Sequence, residues 1–223
     1  MMVFKNEGKT KQCFNDLVFL SKIILRNDST RLFMTILNVE TENDKIFFVT
    51  TDGRAMSIVE YSIDQSPLKD GHYQFTKIQK DIIVLESVEI GSLGKFPNWR
   101  HALPDDNIKV IDDYYVSSDK EHYSFFSLIF ILSNLCININ HKYLHNIASN
   151  NNLWSIWVNP LKANSAVKFT SENKTAIIMP IACSEEVPII HHATEKLIKT
   201  VATVDKNTEW FSFTKIREKL FEF

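Results

Sequence analysis

The chain has 223 residues, enough to bury the core of one large domain or two small ones. Its hydrophobic content of 44% and aromatic content of 12% exclude a disordered polypeptide. The net charge of −2 gives no global sign of nucleic-acid binding, although a local basic face is compatible with it. Cys13, Cys136 and Cys183 are too widely spaced for a disulfide framework or a paired-cysteine zinc site, and they favour a reducing cytoplasm.

The N-terminal sequence MMVFKNEGKTK is polar and charged where a secretory signal needs an apolar segment. The longest apolar run is YSFFSLIFILSNLCI, residues 123–137. It is shorter than the roughly 20 residues of a membrane span, and Ser and Asn interrupt it. We therefore predict one or two buried strands in this run, and a cytoplasmic protein without a membrane partner.

A helix followed by three strands is predicted in the first half of the chain. Residues 11–26 place apolar side chains at helical spacing, and Thr10 is a candidate N-cap. The period then changes to that of β-structure at 31–40, 45–51 and 54–63, which short turns connect.

Two further strands are predicted at 72–78 and 81–93. The polar, acidic stretch 104–121 then indicates a connection and the best internal boundary. Beyond the apolar run, a second unit repeats the order of one short helix and three strands, at 141–151, 153–159, 166–172 and 175–182. The halves share this order of elements without sequence identity.

The composition changes again after Cys183, where two helical stretches are predicted. The second has a candidate cap at Thr208 and an apolar stripe at helical spacing: Trp210, Phe213, Ile216, Leu220 and Phe223. We therefore divide the chain into a first half at 1–105, a second half at 106–183 and a C-terminal helical appendix at 184–223. The two halves are expected to form one compact domain.

Three short segments carry a family resemblance: TTDGRAM at 50–56, FPNWRHALP at 96–104 and TAIIMPIA at 175–182. In content and order they resemble segments of the bacterial DNA sliding clamp, the ring-shaped processivity (beta) subunit of the replicative polymerase. The resemblance covers roughly residues 11–183, with gaps. It implies an α+β, DNA-clamp-like fold of two helix-plus-antiparallel-strands units, with extra C-terminal helices. A bacterial clamp has three domains of two such units each, whereas this chain has room for two units.

In the family these three segments line a hydrophobic cleft in which clamp partners dock a short linear peptide. Carried over residue by residue, the cleft consists of Thr51, Gly53, Met56, Pro97, Ala102, Ile177, Met179, Pro180 and Ile181. Flexible, polarizable Met and rigid Pro suit such a binding surface.

Two departures from the family pattern concern its basic residues. The family's His-Arg pair in the turn is Arg54-Ala55 here, and one family Arg is His101. An alternative also stays open for the apolar positions, since Met56, Met179 and Ile181 fit equally well as core residues of strands.

The resemblance further implies helices that line a DNA channel and contact phosphates independently of sequence. The equivalent helices carry His141 and the four residues predicted to contact DNA: Lys22, Arg26, Lys142 and His145. Ordinary solvated helix faces are the alternative. The expected partners are double-stranded DNA, short linear peptides of replication or repair proteins, and further copies of this chain.

These features predict a non-catalytic tethering or processivity factor. The chain has only five glycines, no Gly-rich phosphate loop and no catalytic or metal motif, so no cofactor is expected. One alternative is a degenerate clamp relative that acts only as a protein-interaction module without encircling DNA. Another is an unrelated α+β protein with chance matches. A further hypothesis places Leu220 and Phe221 in the peptide cleft, so that the chain occupies its own site.

Overall fold

A computed structural model describes residues 1–25, 31–89, 95–105, 107–116, 123–135, 137–148, 152–159 and 164–181. Arg26 and the predicted appendix at 184–223 lie outside the described residues. The predictions made for them, including the docking of Leu220 and Phe221, therefore stay predictions.

One sheet of ten antiparallel strands dominates the described part of the chain. The strands are β1 (Met2–Lys5), β2 (Ile36–Glu42), β3 (Lys45–Thr51), β4 (Ala55–Ser62), β5 (Gly71–Ile78), β6 (Ile82–Val88), β7 (Ile108–Tyr115), β8 (Leu153–Val158), β9 (Val167–Ser171) and β10 (Lys174–Ile178). Across the sheet their order is β1-β6-β5-β2-β3-β4-β10-β9-β8-β7. The two halves of the chain therefore join at the pair β4–β10.

The helices α1 (Lys11–Ser21), α2 (Tyr123–Asn134) and α3 (His141–Ala148) contribute side chains to one large core with one face of the sheet, which we call the helix face. Because side chains alternate along a strand, Ile46 and Phe48 of β3 join this core, while Phe47 and Val49 point to the opposite, outer face. A smaller group on that face, the outer cluster, comprises Val49, Met56, Ile58, Trp99, Ala166 and Ile177.

Most predicted elements are present within the described residues. α1 begins directly after Thr10, although the Thr10 hydroxyl donates to the Lys5 carbonyl at 2.9 Å instead of capping the helix. The helix ends at Ser21, earlier than predicted. Leu32–Met34 form a turn of 3-10 helix before β2, so this strand starts later than the sequence indicates. The mixed α and β architecture with an antiparallel sheet confirms the predicted fold class.

The prediction of a simple connection at 104–121 was wrong, because β7 lies inside it and pairs with β8. Its acidic residues suggested a loop, yet Val110 and Ile111 are buried. The register of the pair shifts twice, which breaks the regular alternation by which a strand is recognised. β1, at the other edge of the sheet, was not predicted at all.

The apolar run 123–137 was wrongly predicted as strands, since it contains α2. Phe125, Leu128 and Leu132 recur at helical spacing and are buried. Except for Ser127, the residues between them are also apolar. A run that is apolar on almost every side does not distinguish a buried strand from a buried helix. Among the described helices, none has the length and hydropathy required to cross a bilayer.

Candidate functional site

The turn within TTDGRAM is held by the side chain of Asp52. Asp52 Oδ1 accepts the backbone N–H of Arg54 and of Ala55, each at 2.9 Å. Gly53 has φ +82°, a left-handed conformation that favours glycine. A Cβ at this position would lie 2.6 Å from Met34 Cε, so the terminal methyl group of the buried Met34 would have to shift, and the backbone conformation itself selects glycine.

The same carboxylate connects the first half of the chain to the second. The Tyr143 hydroxyl of α3 donates to Asp52 Oδ2 at 2.5 Å, and Lys142 Nζ lies 3.7 Å from that oxygen. Burial raises the pKa of Tyr143, and the hydrogen bond to the Asp52 carboxylate raises it further. The turn is therefore fixed to α3 by a hydrogen bond with a charged acceptor, the stronger kind of hydrogen bond.

The Met-Pro segment after β10 continues alongside this turn. The Met179 N–H donates to the Arg54 carbonyl at 2.8 Å, and the Ile181 N–H donates to the Asn138 carbonyl at 2.6 Å. The backbone is therefore held on both sides. The side chains of Met179 and Ile181 nevertheless stay exposed, at 44% and 55%, and Pro180 is half-buried.

The loop at 95–105 covers the outer cluster. Trp99 is buried there, and its Nε1–H donates to Glu40 Oε1 at 2.8 Å. The Arg100 guanidinium lies 4.3 Å from the centroid of the Trp99 ring and forms ion pairs with Glu40 and Glu42. Partial burial pushes the pKa of Glu40 upward, but the hydrogen bonds from Arg100, Trp99 and Asn38 outweigh it and hold that pKa below its usual value.

The nine predicted cleft residues fall into a buried group, an exposed group and a half-buried pair, Thr51 and Pro180. Met56 is paired with Thr51 on one side and with Ile177 on the other, and Met56 and Ile177 are only 5% and 2% exposed, inside the outer cluster. Met56 is therefore as buried as the alternative, an ordinary core residue of a strand, requires. The exposed group comprises Gly53, Pro97, Ala102, Met179 and Ile181.

The sequence did not single out Asp52, although it stands in the quoted turn. The signal for its role is an Asp at the start of a turn, because the short Asp side chain can accept a hydrogen bond from the backbone N–H two residues later, as in an Asx-turn. The pairing of Trp99 and Arg100 with Glu40 has no comparable local signal, since 59 and 60 residues separate the partners.

The basic residues predicted to contact DNA are sparse on the helix face. Lys22 is exposed directly after α1, and Lys142 is exposed at the start of α3 with Asp52 nearby. The His145 ring stacks on Phe125, with 4.6 Å between the centroids. α2 carries no charged side chain, and its Phe126 is 57% exposed.

A second buried carboxylate lies at the junction of the two halves. Asp16 Oδ1 of α1 is 2.9 Å from Lys174 Nζ of β10, and the Tyr61 hydroxyl of β4 donates to Asp16 Oδ2 at 2.5 Å. Burial, with the nearby charge of Asp16, raises the pKa of the neighbouring Cys13 thiol to about 12, so this thiol stays protonated and is a poor nucleophile. The part of the chain that the structure describes holds no group of three or more His, Cys, Asp or Glu side chains arranged for a metal ion.

Solved structures with a similar fold include bacterial sliding clamps. The DNA polymerase III subunit beta from Pseudomonas aeruginosa superposes with a TM-score of 0.53 at 12% identity, over 82% of this chain and 67% of that chain. The chain has a divergent sliding-clamp-like fold. A second structure, the sliding clamp from the same organism bound to griselimycin, gives a TM-score of 0.51 at 11% identity and is 66% covered.

This chain thus spans about two thirds of the length of the clamp structures that it matches, with coverage of 66% and 67%. Scans of protein-family models and of curated proteins find no match. At 11% and 12% identity the likeness concerns the fold alone.

Proposed function

We propose that this chain is a sliding-clamp relative that acts as a non-catalytic tethering or processivity factor and docks short linear peptides on its outer face. The observation that carries the proposal is the convergence of three segments that are distant in sequence. Trp99 from the loop, Met56 from the strand after the turn and Ile177 from the last strand are buried in one group, the outer cluster. Met179 and Ile181 then extend from this cluster as exposed apolar side chains.

Two properties of this surface suit a peptide partner. The backbone beneath it is fixed by the hydrogen bonds from Met179 to Arg54 and from Ile181 to Asn138, so little ordering accompanies binding. The Met179 side chain, in contrast, is flexible and polarizable, and it adapts to different apolar partners. Pro97 and Ala102, exposed on the loop over the cluster, complete the predicted walls of the cleft.

The DNA-binding part of the proposal concerns the helix face. Lys22, Arg26, Lys142 and His145 would contact the phosphates of double-stranded DNA without reading sequence. A ring of the family's type requires about six domains, so several copies of this chain would have to associate. We place such an assembly in the cytoplasm.

The second candidate function is a protein-interaction module that keeps the peptide cleft but does not encircle DNA. Two features of α2 favour it: the helix lacks charged side chains, and Phe126 is exposed where a DNA-facing helix needs a cation. Size in solution and DNA retention separate the two candidates. A closed oligomer that stays on circular DNA and slides off linear DNA supports the clamp. A monomer that is retained on neither circular nor linear DNA supports the interaction module.

The peptide cleft is tested by titrating the full chain with a fluorescent peptide that ends in Leu-Phe. We expect the double variant Met179→Ala/Ile181→Ala to weaken binding by about tenfold or more, since two apolar contacts of roughly 1 kcal/mol each are lost. Ile63→Ala is the matched control, because Ile63 is 48% exposed and lies just beyond the far end of β4. Equal losses in both variants, or no binding to the unmodified chain, would contradict the cleft.

A further inference from the structure

The predicted cleft continues into a row of side chains that crosses the outer face of the second half. Met56 on β4 pairs with Ile177 on β10, and Ile177 pairs with Lys168 on β9. Lys168 pairs with Trp157 on β8, which in turn pairs with Lys109 on β7. Directly paired residues share one face of a sheet, so this Lys–Trp–Lys row of Lys168, Trp157 and Lys109 lies on the same face as the cleft.

The two ammonium groups of the row lie against the indole ring of Trp157. Lys168 Nζ is 4.8 Å from the ring centroid, and Lys109 Nζ is 5.8 Å from it. The indole N–H donates to Thr170 Oγ1 at 3.0 Å, which fixes the ring. The row is therefore a pair of positioned cations on an aromatic support.

The charges of the two lysines are compensated differently. Lys109 Nζ lies 2.6 Å from Asp112 Oδ2 and already has a counter-ion. Lys168 is half-buried, and it has no acidic partner among the residues that the structure describes. Lys168 is also the member of the row next to β10, the strand that leads to Met179. An uncompensated cation thus stands on the strand adjacent to the exposed apolar residues.

We propose that the docking surface continues from Met179 to the Lys–Trp–Lys row and that Lys168 binds a carboxylate of the docked peptide. This inference rests on the proposed peptide cleft and specifies its partner: a peptide with an apolar residue and a Glu or Asp about three residues away. The spacing follows from the sheet, because Lys168 on β9 pairs with Ile177 of β10, about 4.8 Å away, and Met179 lies two residues, or about 7 Å, beyond Ile177. The two positions are therefore about 8 Å apart, which two to three residues of an extended peptide span at about 3.3 Å each. A nucleic-acid base fits the row less well, since ammonium groups already occupy positions over the ring that a stacked base would need.

The test uses the full chain and four labelled peptides that end in Leu-Phe. Two carry a single Glu three residues before or after the apolar pair, and two carry Gln at the same positions. By fluorescence anisotropy at low salt we expect one Glu peptide to bind about threefold to tenfold more tightly than its Gln counterpart. The difference should disappear in Lys168→Gln and in about 0.5 M salt, because both remove the electrostatic attraction.

Lys77→Gln is the matched control, since Lys77 is exposed on β5, five strands from β9 and thus about 24 Å away. This variant changes the net charge equally and should preserve the preference for Glu. Thermal unfolding of both variants checks that they fold.

Equal binding of Glu and Gln peptides by the unmodified chain overturns the inference and leaves the cleft intact. Failure of all four peptides overturns the cleft as well. A third outcome is that the chain binds a single-stranded oligonucleotide instead of the peptides and that Lys168→Gln abolishes this binding. That outcome assigns the row to nucleic acid and overturns the inference.

Discussion

Asp16 and Lys174 form an ion pair of 2.9 Å that is almost wholly enclosed, with side chains 0% and 5% exposed. The two residues come from opposite halves of the chain, one from α1 and the other from β10. Tyr61 and Gln12 donate further hydrogen bonds to the Asp16 carboxylate. Together with the bond between Asp52 and Tyr143, this pair fixes the junction on which the three motif segments meet.

Replacing one member of this pair should strongly destabilise the fold, because it leaves an uncompensated buried charge. We expect Lys174→Met to lower the free energy of unfolding by about 3–5 kcal/mol. The double variant Asp16→Leu/Lys174→Met should recover a large part of that loss. Urea denaturation followed by circular dichroism measures both. A single variant within 0.5 kcal/mol of the unmodified chain would show that the pair is open to water.

The bond between Tyr143 and Asp52 should be worth more than an ordinary tyrosine hydrogen bond. Tyr143→Phe removes a donor to a charged acceptor, and we expect a loss of about 1.5–3 kcal/mol in the free energy of unfolding. Tyr73→Phe is the comparison, because the Tyr73 hydroxyl donates to the neutral carbonyl of Lys69 at 2.8 Å. It should cost about 0.5–1.5 kcal/mol. If Tyr73→Phe lowers the free energy of unfolding more than Tyr143→Phe does, the Asp52 carboxylate is not the stronger acceptor.

Alanine substitutions at Gly53 and Gly8 distinguish the cost of a left-handed backbone conformation from the cost of a steric clash. Both have positive φ, +82° and +59°, but a Cβ at Gly8 meets nothing within 4 Å whereas one at Gly53 meets the buried Met34. We expect Gly8→Ala to cost about 1 kcal/mol of stability and Gly53→Ala about 1–2 kcal/mol more. Thermal unfolding provides both values. Equal costs would mean that Met34 moves away without penalty.

Acid should release the loop at 95–105 from the sheet. The pKa of Glu40 is lower in the folded state than its usual value, so its ion pair with Arg100 stabilises the fold above the unfolded pKa. That contribution is lost as the pH falls from the ordinary Glu pKa of about 4.3 through the lower folded pKa. We expect the fluorescence of Trp99 to change in this range, and the change to be absent in Glu40→Gln. A Glu40→Gln variant with the same acid transition would assign the transition to another group.

Local patterns in the sequence predicted α1, α3 and the strands β2–β4 and β8–β10, since each has a regular apolar period. They failed at α2, which is apolar on almost every side, and at β7, whose register shifts hide the alternation. The junction of the halves depends on contacts such as Tyr143 to Asp52, 91 residues apart, which no local pattern encodes. For the same reason the family resemblance named Met56 and Met179 together, whereas only the structure separates a buried methionine from an exposed one.

Methyl NMR of methionine tests the docking site most directly. The chain has five methionines: Met1, Met2, Met34, Met56 and Met179. With ¹³C-methyl-labelled methionine and the Leu-Phe peptide, we predict the largest shift for Met179, a smaller one for Met56 beneath the loop, and none for Met1 and Met2 at the β1 edge. Binding that leaves the Met179 methyl resonance unchanged, or shifts Met1 and Met2 instead, would contradict a peptide-docking site on the outer face.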